Sequence, residues 1–540
     1  MVQHIFPATC SLTDSSSPAD SDNEGSKTGC LLACFGKGFA LRQSRRTFFT
    51  QWSTTPSELR DAGVLTINAL PDNILLDIFD FYRKDFMNYM GPRCTWHRLA
   101  HVCRGWRHVV FASPRRLDLR IVCTERTPVM ELLDIWPPLP IIMKYWLYSA
   151  STSRFPIPGA ITVLEHHHRV CQIQLSHLTQ PLLDMLATAM QEQYPALTMI
   201  ELCSDEEVAP VLPDTFLGGS APRLRSVSLE GIAFPTLPRL LLSAVGLVSL
   251  LLDKIPQNTG YISPDVMATS LSTLTRLKFL RIDFRPPALL PNIRRHPRQS
   301  TRAVLLCLAW LEFRGVSEYL EDLMARIEAP FLDNINIKFF DQPVFDILQL
   351  PQFITRSEKL KLPHQATVNF QSDFVQITVS PPKGTVGCLT FQVLCTVPHW
   401  QVSAIVQICN QALPLLSNVE RLEVCGGEYE HSLQDWQDVV ESDQWLELFE
   451  PFVGVECLHV TKYLGSLTAS ALREAGGRRR ATEVLPALRS MFLEELEPSD
   501  SAISRLVTAR GPSGRPVKVY SRKSEWEHDL GWEQFLEVDD

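Results

Sequence analysis

The side chains best suited to chemistry are few, and their spacing argues against catalysis. Glu165-His166-His167-His168 is the one histidine cluster, yet three adjacent histidines on a strand or helix cannot all face one metal ion. Asp205-Glu206-Glu207 and Asp539-Asp540 read as a solvated loop and a tail, because nothing in their spacing separates a general acid from a general base. Gly36-Lys37-Gly38 lacks the further glycine and the Lys-Ser/Thr pair of a phosphate-binding loop. No GxSxG, HExxH or EF-hand spacing occurs. The 14 cysteines include no CxxC pair, Cys30 and Cys34 being the nearest approach, so they read as reduced thiols, mostly in the core. The expectation is a protein that is not an enzyme, with no cofactor and no metal.

What remains is recognition, carried by apolar anchors that helices must present. In Leu70-Pro71-Asp72-Asn73-Ile74-Leu75-Leu76-Asp77-Ile78-Phe79, proline suits a first helical turn and Asp72 suits the positive end of the helix dipole. Ile74, Leu75, Ile78, Phe79 and Tyr82 recur at helical spacing, with Asp72, Asp77 and Asp80 lying off that stripe. A second helix is predicted over Trp96 to Pro114, where Leu99, Val102, Cys103, Trp106, Val109 and Val110 share one face. Arg83 to Thr95 is expected to be an irregular joint. Two helices this short leave more apolar surface uncovered than a monomer usually does, which calls for an obligatory partner.

The order Leu-Pro, Ile-Leu-x-x-Ile-Phe, then Val-Cys-Arg-x-Trp-Arg and Phe-Ala-Ser-Pro-Arg resembles an F-box over about residues 66–116. The continuation RLDLRIVCTERTPVMELLDIWPPLPIIM resembles that of large fungal F-box families. The resemblance implies docking on the Skp adaptor of a cullin–RING ubiquitin ligase, while the rest of the chain selects a protein substrate. Carried over by position, Leu70, Pro71, Ile74, Leu75 and Ile78 would enter the adaptor groove from the first helix, and Val102, Cys103, Trp106 and Val109 from the second. The sequence departs from the family pattern at Asn73, where Glu is common, and in its longer segment between the helices. Gly105, read as mid-helix, adds a cost of roughly 1 kcal/mol against Ala.

Beyond this the chain repeats. The pattern apolar-x-x-apolar-x-apolar begins at Val170, Leu197, Leu224, Leu247, Leu277, Leu308, Leu332, Val419, Val455 and Leu488. Most of these copies are separated by helical patterns such as PLLDMLATAMQEQ and SEYLEDLMARIEA. This resembles leucine-rich repeats of irregular period. A short strand followed by a covering helix buries its apolar face only when neighbours stack on it. The predicted fold is therefore α/β: a short helical F-box followed by an irregular leucine-rich-repeat-like horseshoe, a solenoid. Residues 358–396 stay open between degraded repeats and a hairpin insertion.

The expected division is a disordered leader 1–62, the F-box 63–116, a packed connector 117–160, a substrate domain 161–510 and a tail 511–540. Gly29 to Phe49 reads as a sticky leader, or else as a palmitoylated or transit-like element. A hydrophobic content of 45% excludes wholesale disorder. The net charge of −9 argues against nucleic acid as the main partner, and Arg478-Arg479-Arg480 fits a solvated loop. No apolar run approaches the roughly twenty residues of a membrane span, so a cytoplasmic or nuclear location is expected. Because strand side chains alternate, Phe279, Arg281, Trp310, Glu312 and Arg314 should face outward near residues 277–316 and grip the protein substrate, unless the connector or tail covers Phe279 and Trp310. The alternative function is a protein-binding repeat scaffold without a ligase.

Overall fold

The computed structural model describes residues 67 and 70–522, apart from 91–95, 125, 147–156, 257–258, 287–301, 383–384, 427–439, 462–463, 466, 469–470, 473–483, 495–509 and 511–515. The chain divides into two compact units, Met1–Phe81 and Tyr82–Asp540. The leader 1–62 and Arg478-Arg479-Arg480 lie outside the described residues.

The helices near the start differ from the sequence reading in two respects. Helix α1 (Asp72–Met90) does not give way to an irregular joint at Arg83. The segment FYRKDFMNYM holds no Pro or Gly to stop it, and Gly91-Pro92 follows the last helical residue. The second helix is two pieces, α2 (Trp96–Ala100) and α3 (Arg104–Ala112). Cys103 breaks it: its backbone is extended, and its Sγ accepts a hydrogen bond from the Trp106 N–H at 3.4 Å, an N-cap that restarts the helix. Gly105 consequently sits in a first turn and not mid-helix.

The sheet begins inside the segment 117–160, with β1 (Ile121–Thr124) and β2 (Ile141–Trp146). It continues through β3 (Val170–Ser176), β4 (Met199–Cys203), β5 (Ser226–Glu230), β6 (Ser249–Ile255) and β7 (Phe279–Phe284). The two-residue β8 (Ala303–Val304) and β10 (Ile327–Glu328) pair with each other beside β9 (Trp310–Gly315) and β11 (Asn334–Phe339). Then follow β12 (Gln365–Phe370), β13 (Phe374–Ser380), β14 (Cys388–Leu394), β15 (Arg421–Gly426), β16 (Cys457–Val460), β17 (Ser490–Glu494) and β18 (Lys518–Arg522). Among the described residues one open sheet of 16 strands runs β1-β2-β3-β4-β5-β6-β7-β9-β11-β14-β13-β12-β15-β16-β17-β18. Every copy of the apolar pattern lands on one of these strands.

Register explains why. Ile173, Ile200, Val227, Leu250, Leu280, Leu311 and Ile335 form one row across successive parallel strands, and Leu175, Leu202, Leu229, Leu252, Ile282, Phe313 and Ile337 form the next. All are nearly fully buried. Their covering helices are α4 (Val129–Ile135), α5 (Ile157–Glu165), α6 (Gln180–Ala189), α7 (Leu237–Ser243), α8 (Pro264–Leu271), α9 (Ser317–Met324), α10 (Gln349–Thr355), α11 (Pro398–Ala412) and α12 (Ser442–Phe449). Neighbours touch from α4 to α6 and again from α7 to α12. This is mixed α/β architecture built on a large parallel sheet.

Residues 358–396 take the antiparallel alternative. β13 runs against both β12 and β14, while β14 is parallel to β11 and β12 is parallel to β15. The buried row passes through unbroken, from Ile335 to Leu389, Val379, Ala366, Leu422, Leu458 and Met491.

Candidate protein-binding site

Two places in the chain bear on recognition, the outer face of the sheet and the helices that precede it. On the outer face the side chains alternate with the buried rows, as a pleated strand requires. Phe279 and Trp310 open β7 and β9 in register with each other, 44% and 38% exposed. Arg281 and Glu312 come next in register, and both are part-buried.

The charges on this face are largely spent on one another. Arg281 donates through Nε and Nη2 to Glu312 Oε2, each at 2.8 Å, and its Nη1 lies 3.5 Å from Asp253. Glu312 also accepts from Asn336 at 3.3 Å and meets Lys338 Nζ at 3.4 Å. Arg314 lies 3.7 Å from Asp283, with its guanidinium 5.8 Å from the centre of the Phe340 ring. Burial pushes the Asp283 carboxyl up to about 6 against the opposing pull of Arg314. Of the five residues expected to grip a target, the two aromatics are open to solvent, and Arg281, Glu312 and Arg314 hold a cross-strand network together.

In α1, the stripe seen in the sequence separates into two faces. Leu75, Leu76 and Phe79 are buried, whereas Ile74 and Ile78 are each 40% exposed and Phe81 is 73% exposed. At 100° per residue, Ile74, Ile78 and Phe81 share one side of the helix. Pro71 is exposed and Leu70 half-buried. The Pro71 carbonyl accepts from the Ile74 and Leu75 N–H groups at 3.0 and 3.1 Å, so the helix begins where Leu-Pro places it. The sequence reading missed Phe81, although its spacing from Ile74 and Ile78 was the signal.

Of the anchors assigned to the second helix, Val102 is 58% exposed, Trp106 is half-buried, and Val109 is buried. Cys103 serves as the cap of α3. The sequence reading also overlooked Trp96. Its indole N–H donates to the Arg120 carbonyl at 3.0 Å, and its ring meets Phe111 and Trp136 edge-on at 5.8 and 5.2 Å. His97 joins this cluster 5.0 Å from Trp136; burial, and then His101, hold its imidazole down at about 4, so it stays neutral near pH 7. α2 and α3 are thereby tied to the entry of β1. Trp96 and Trp136 lie 40 residues apart, beyond the reach of any helical periodicity.

No metal-holding group of three or more His, Cys, Asp or Glu side chains occurs among the described residues. None of their helices is long and apolar enough to cross a membrane. No protein-family model matches the chain, and no curated protein matches it. Among solved structures, the crystal structure of the leucine-rich repeat-containing protein LegL7 from Legionella pneumophila is similar at 12% identity, over 68% of this chain and 96% of that one, with a TM-score of 0.26.

Proposed function

We propose that this chain is an F-box substrate receptor. It would bind the Skp adaptor of a cullin–RING ubiquitin ligase through α1 to α3 and present a protein substrate on the outer face of its sheet. It carries out no catalysis itself and acts in the cytoplasm or nucleus. The observation that carries the reading is the exposed stripe Ile74, Ile78 and Phe81 on a helix opened by Leu-Pro. Large apolar side chains in such a row on a charged helix are anchors for a partner's groove. The test is capture of the Skp adaptor by the full chain. Ile74→Asp with Ile78→Asp is expected to weaken capture about 1000-fold, since central apolar anchors cost roughly 2 kcal/mol or more each. Because both residues are solvent-exposed, the melting temperature should hold. Undiminished capture overturns the assignment.

A second reading is a protein-binding repeat scaffold with no ligase. It is favoured by the burial of Leu75 and Val109 and by the engagement of the half-buried Cys103 as the cap of α3, three residues expected as adaptor anchors. Absence of adaptor from purified full-length chain, with a protein target retained, would select it.

A further inference from the structure

The outer face has a margin whose charges are not spent. Each parallel strand is entered through a residue whose backbone joins its neighbour. The Val248 N–H donates to Arg225 O at 2.8 Å, Lys278 to Val248 at 2.8 Å, Ala309 to Lys278 at 3.0 Å, and Asp333 to Ala309 at 2.9 Å. Two of these entry segments are alike: Arg223-Leu224-Arg225 leads to β5 and Arg276-Leu277-Lys278 leads to β7. Leu224 and Leu277 are buried, whereas the four basic residues that flank them at the strand entries are all exposed. Among the described residues, none of the four side chains makes a hydrogen bond or ion pair. That distinguishes them from Lys254, Arg281, Arg314 and Lys338, each of which has a carboxylate partner on the face itself. Phe279 directly follows Lys278, and Trp310 stands in register with it on the next strand.

We propose that this strand-entry rim, Arg223, Arg225, Arg276 and Lys278 beside Phe279 and Trp310, is a docking surface for an acidic protein segment carrying an apolar side chain. The occupant follows from charge complementarity. Four unpaired cations await carboxylates, and two open rings adjoin them to receive an apolar group. Arg225 and Lys278 are two strands apart, roughly 10 Å, which matches residues i and i+3 on one face of a polyproline-II segment at about 3.1 Å per residue. A nucleic acid fits less well, because its charge extends along the whole strand while Glu230, Asp253, Asp283 and Glu312 line the adjoining face. The inference rests on the substrate-presenting half of the proposed function and deepens it, since it names the chemistry of the target.

The experiment probes the full chain against an array of random peptides of about twelve residues, a length typical of linear recognition segments. Adaptor capture is measured on the same preparations. Enrichment of Asp and Glu around an apolar residue is expected, with binding that weakens as salt is raised. Arg225→Glu with Lys278→Glu should reduce affinity for the best peptide about tenfold or more. Arg225→Gln with Lys278→Gln should reduce it less, and Arg239→Glu, at an exposed position on α7, not at all. Trp310→Ala should weaken the apolar preference while leaving the acidic one. No enrichment of acidic peptides, equal affinity in the charge-reversed chain, or tighter binding to oligothymidylate than to the best peptide overturns the rim. Adaptor capture without acidic-peptide binding overturns the rim alone. Peptide binding without adaptor capture overturns the ligase reading and leaves the rim standing.

Discussion

The sheet is built in two ways that meet in one core. From β3 to β11, all neighbours are parallel, and each new strand returns from outside the sheet, in most repeats through a helix. From β12 to β14, three strands form an antiparallel meander, and the 15-residue α11 packs over both β13 and β14. Yet the apolar row crosses both regions without a break. The difference teaches that the stacked core depends on which face each strand buries and not on strand direction, because alternation at a period of two is the same in either sense. What changes is how the connections are held. In the parallel region the Glu321 carboxylate accepts the N–H groups of Leu348, Gln349 and Leu350 at 2.6 to 2.9 Å at the start of α10. In the meander a buried amide does that work: Gln401 on α11 donates to Gln371 O at the β12–β13 turn and to Cys395 O after β14, at 2.8 and 2.7 Å.

The largest test of a shared core compares Phe391 on β14 with Phe313 on β9, which are buried to the same extent. Each Phe→Ala should cost about 3–5 kcal/mol in urea denaturation. If Phe391→Ala costs far less than Phe313→Ala, the meander is an appendage and the comparison fails. A smaller effect sharpens it. Gln401→Ala strips two carbonyls of their donor, one of them deeply buried, and should cost about 2 kcal/mol. Faster amide exchange should then be confined to α11 and the meander, and exchange that also rises from β4 to β7 would refute a local tie.

The remaining test concerns the part-buried charged groups of the outer face and reads a sign rather than a size. Asp283 on β7 and Glu423 on β15, one on each side of the meander, should respond to pH in opposite senses. Burial raises the Asp283 carboxyl from 3.8 to about 6, so the folded state holds that proton more tightly and stability falls as pH rises between those values. Glu423 is lowered from 4.5, first by its hydrogen bond with His459 at 3.2 Å, so its contribution is present above 4.5 and is lost as pH falls through the depressed value. Melting temperatures of Asp283→Asn and Glu423→Gln against wild type across this range check both signs. A parallel pH response in the two variants would contradict them.

Strand identity was largely legible because it is local. Leu277-x-x-Leu280-x-Ile282 and its counterparts announce a strand that buries one face, and no distant residue is needed to read that. The start of α1 at Leu-Pro was legible for the same reason. The break at Cys103 was not, because a cysteine cap and an uninterrupted helix share the same apolar spacing. The helices α7 and α10, seven residues each, were too short to show a period of their own.

By itself, then, the sequence determined which segments of the repeats are strands, which side of each is apolar, and where the first helix begins, since these depend on residues within a few positions of one another. Only the tertiary structure decided that β13 reverses, that Trp96 and Trp136 close the entry to the sheet, and that Arg281 is taken by Glu312 while Arg225 and Lys278 are left open. The last of these outcomes turns on register between strands 23 to 31 residues apart. Pairing at that distance is set by the whole stacked core, which no local pattern records.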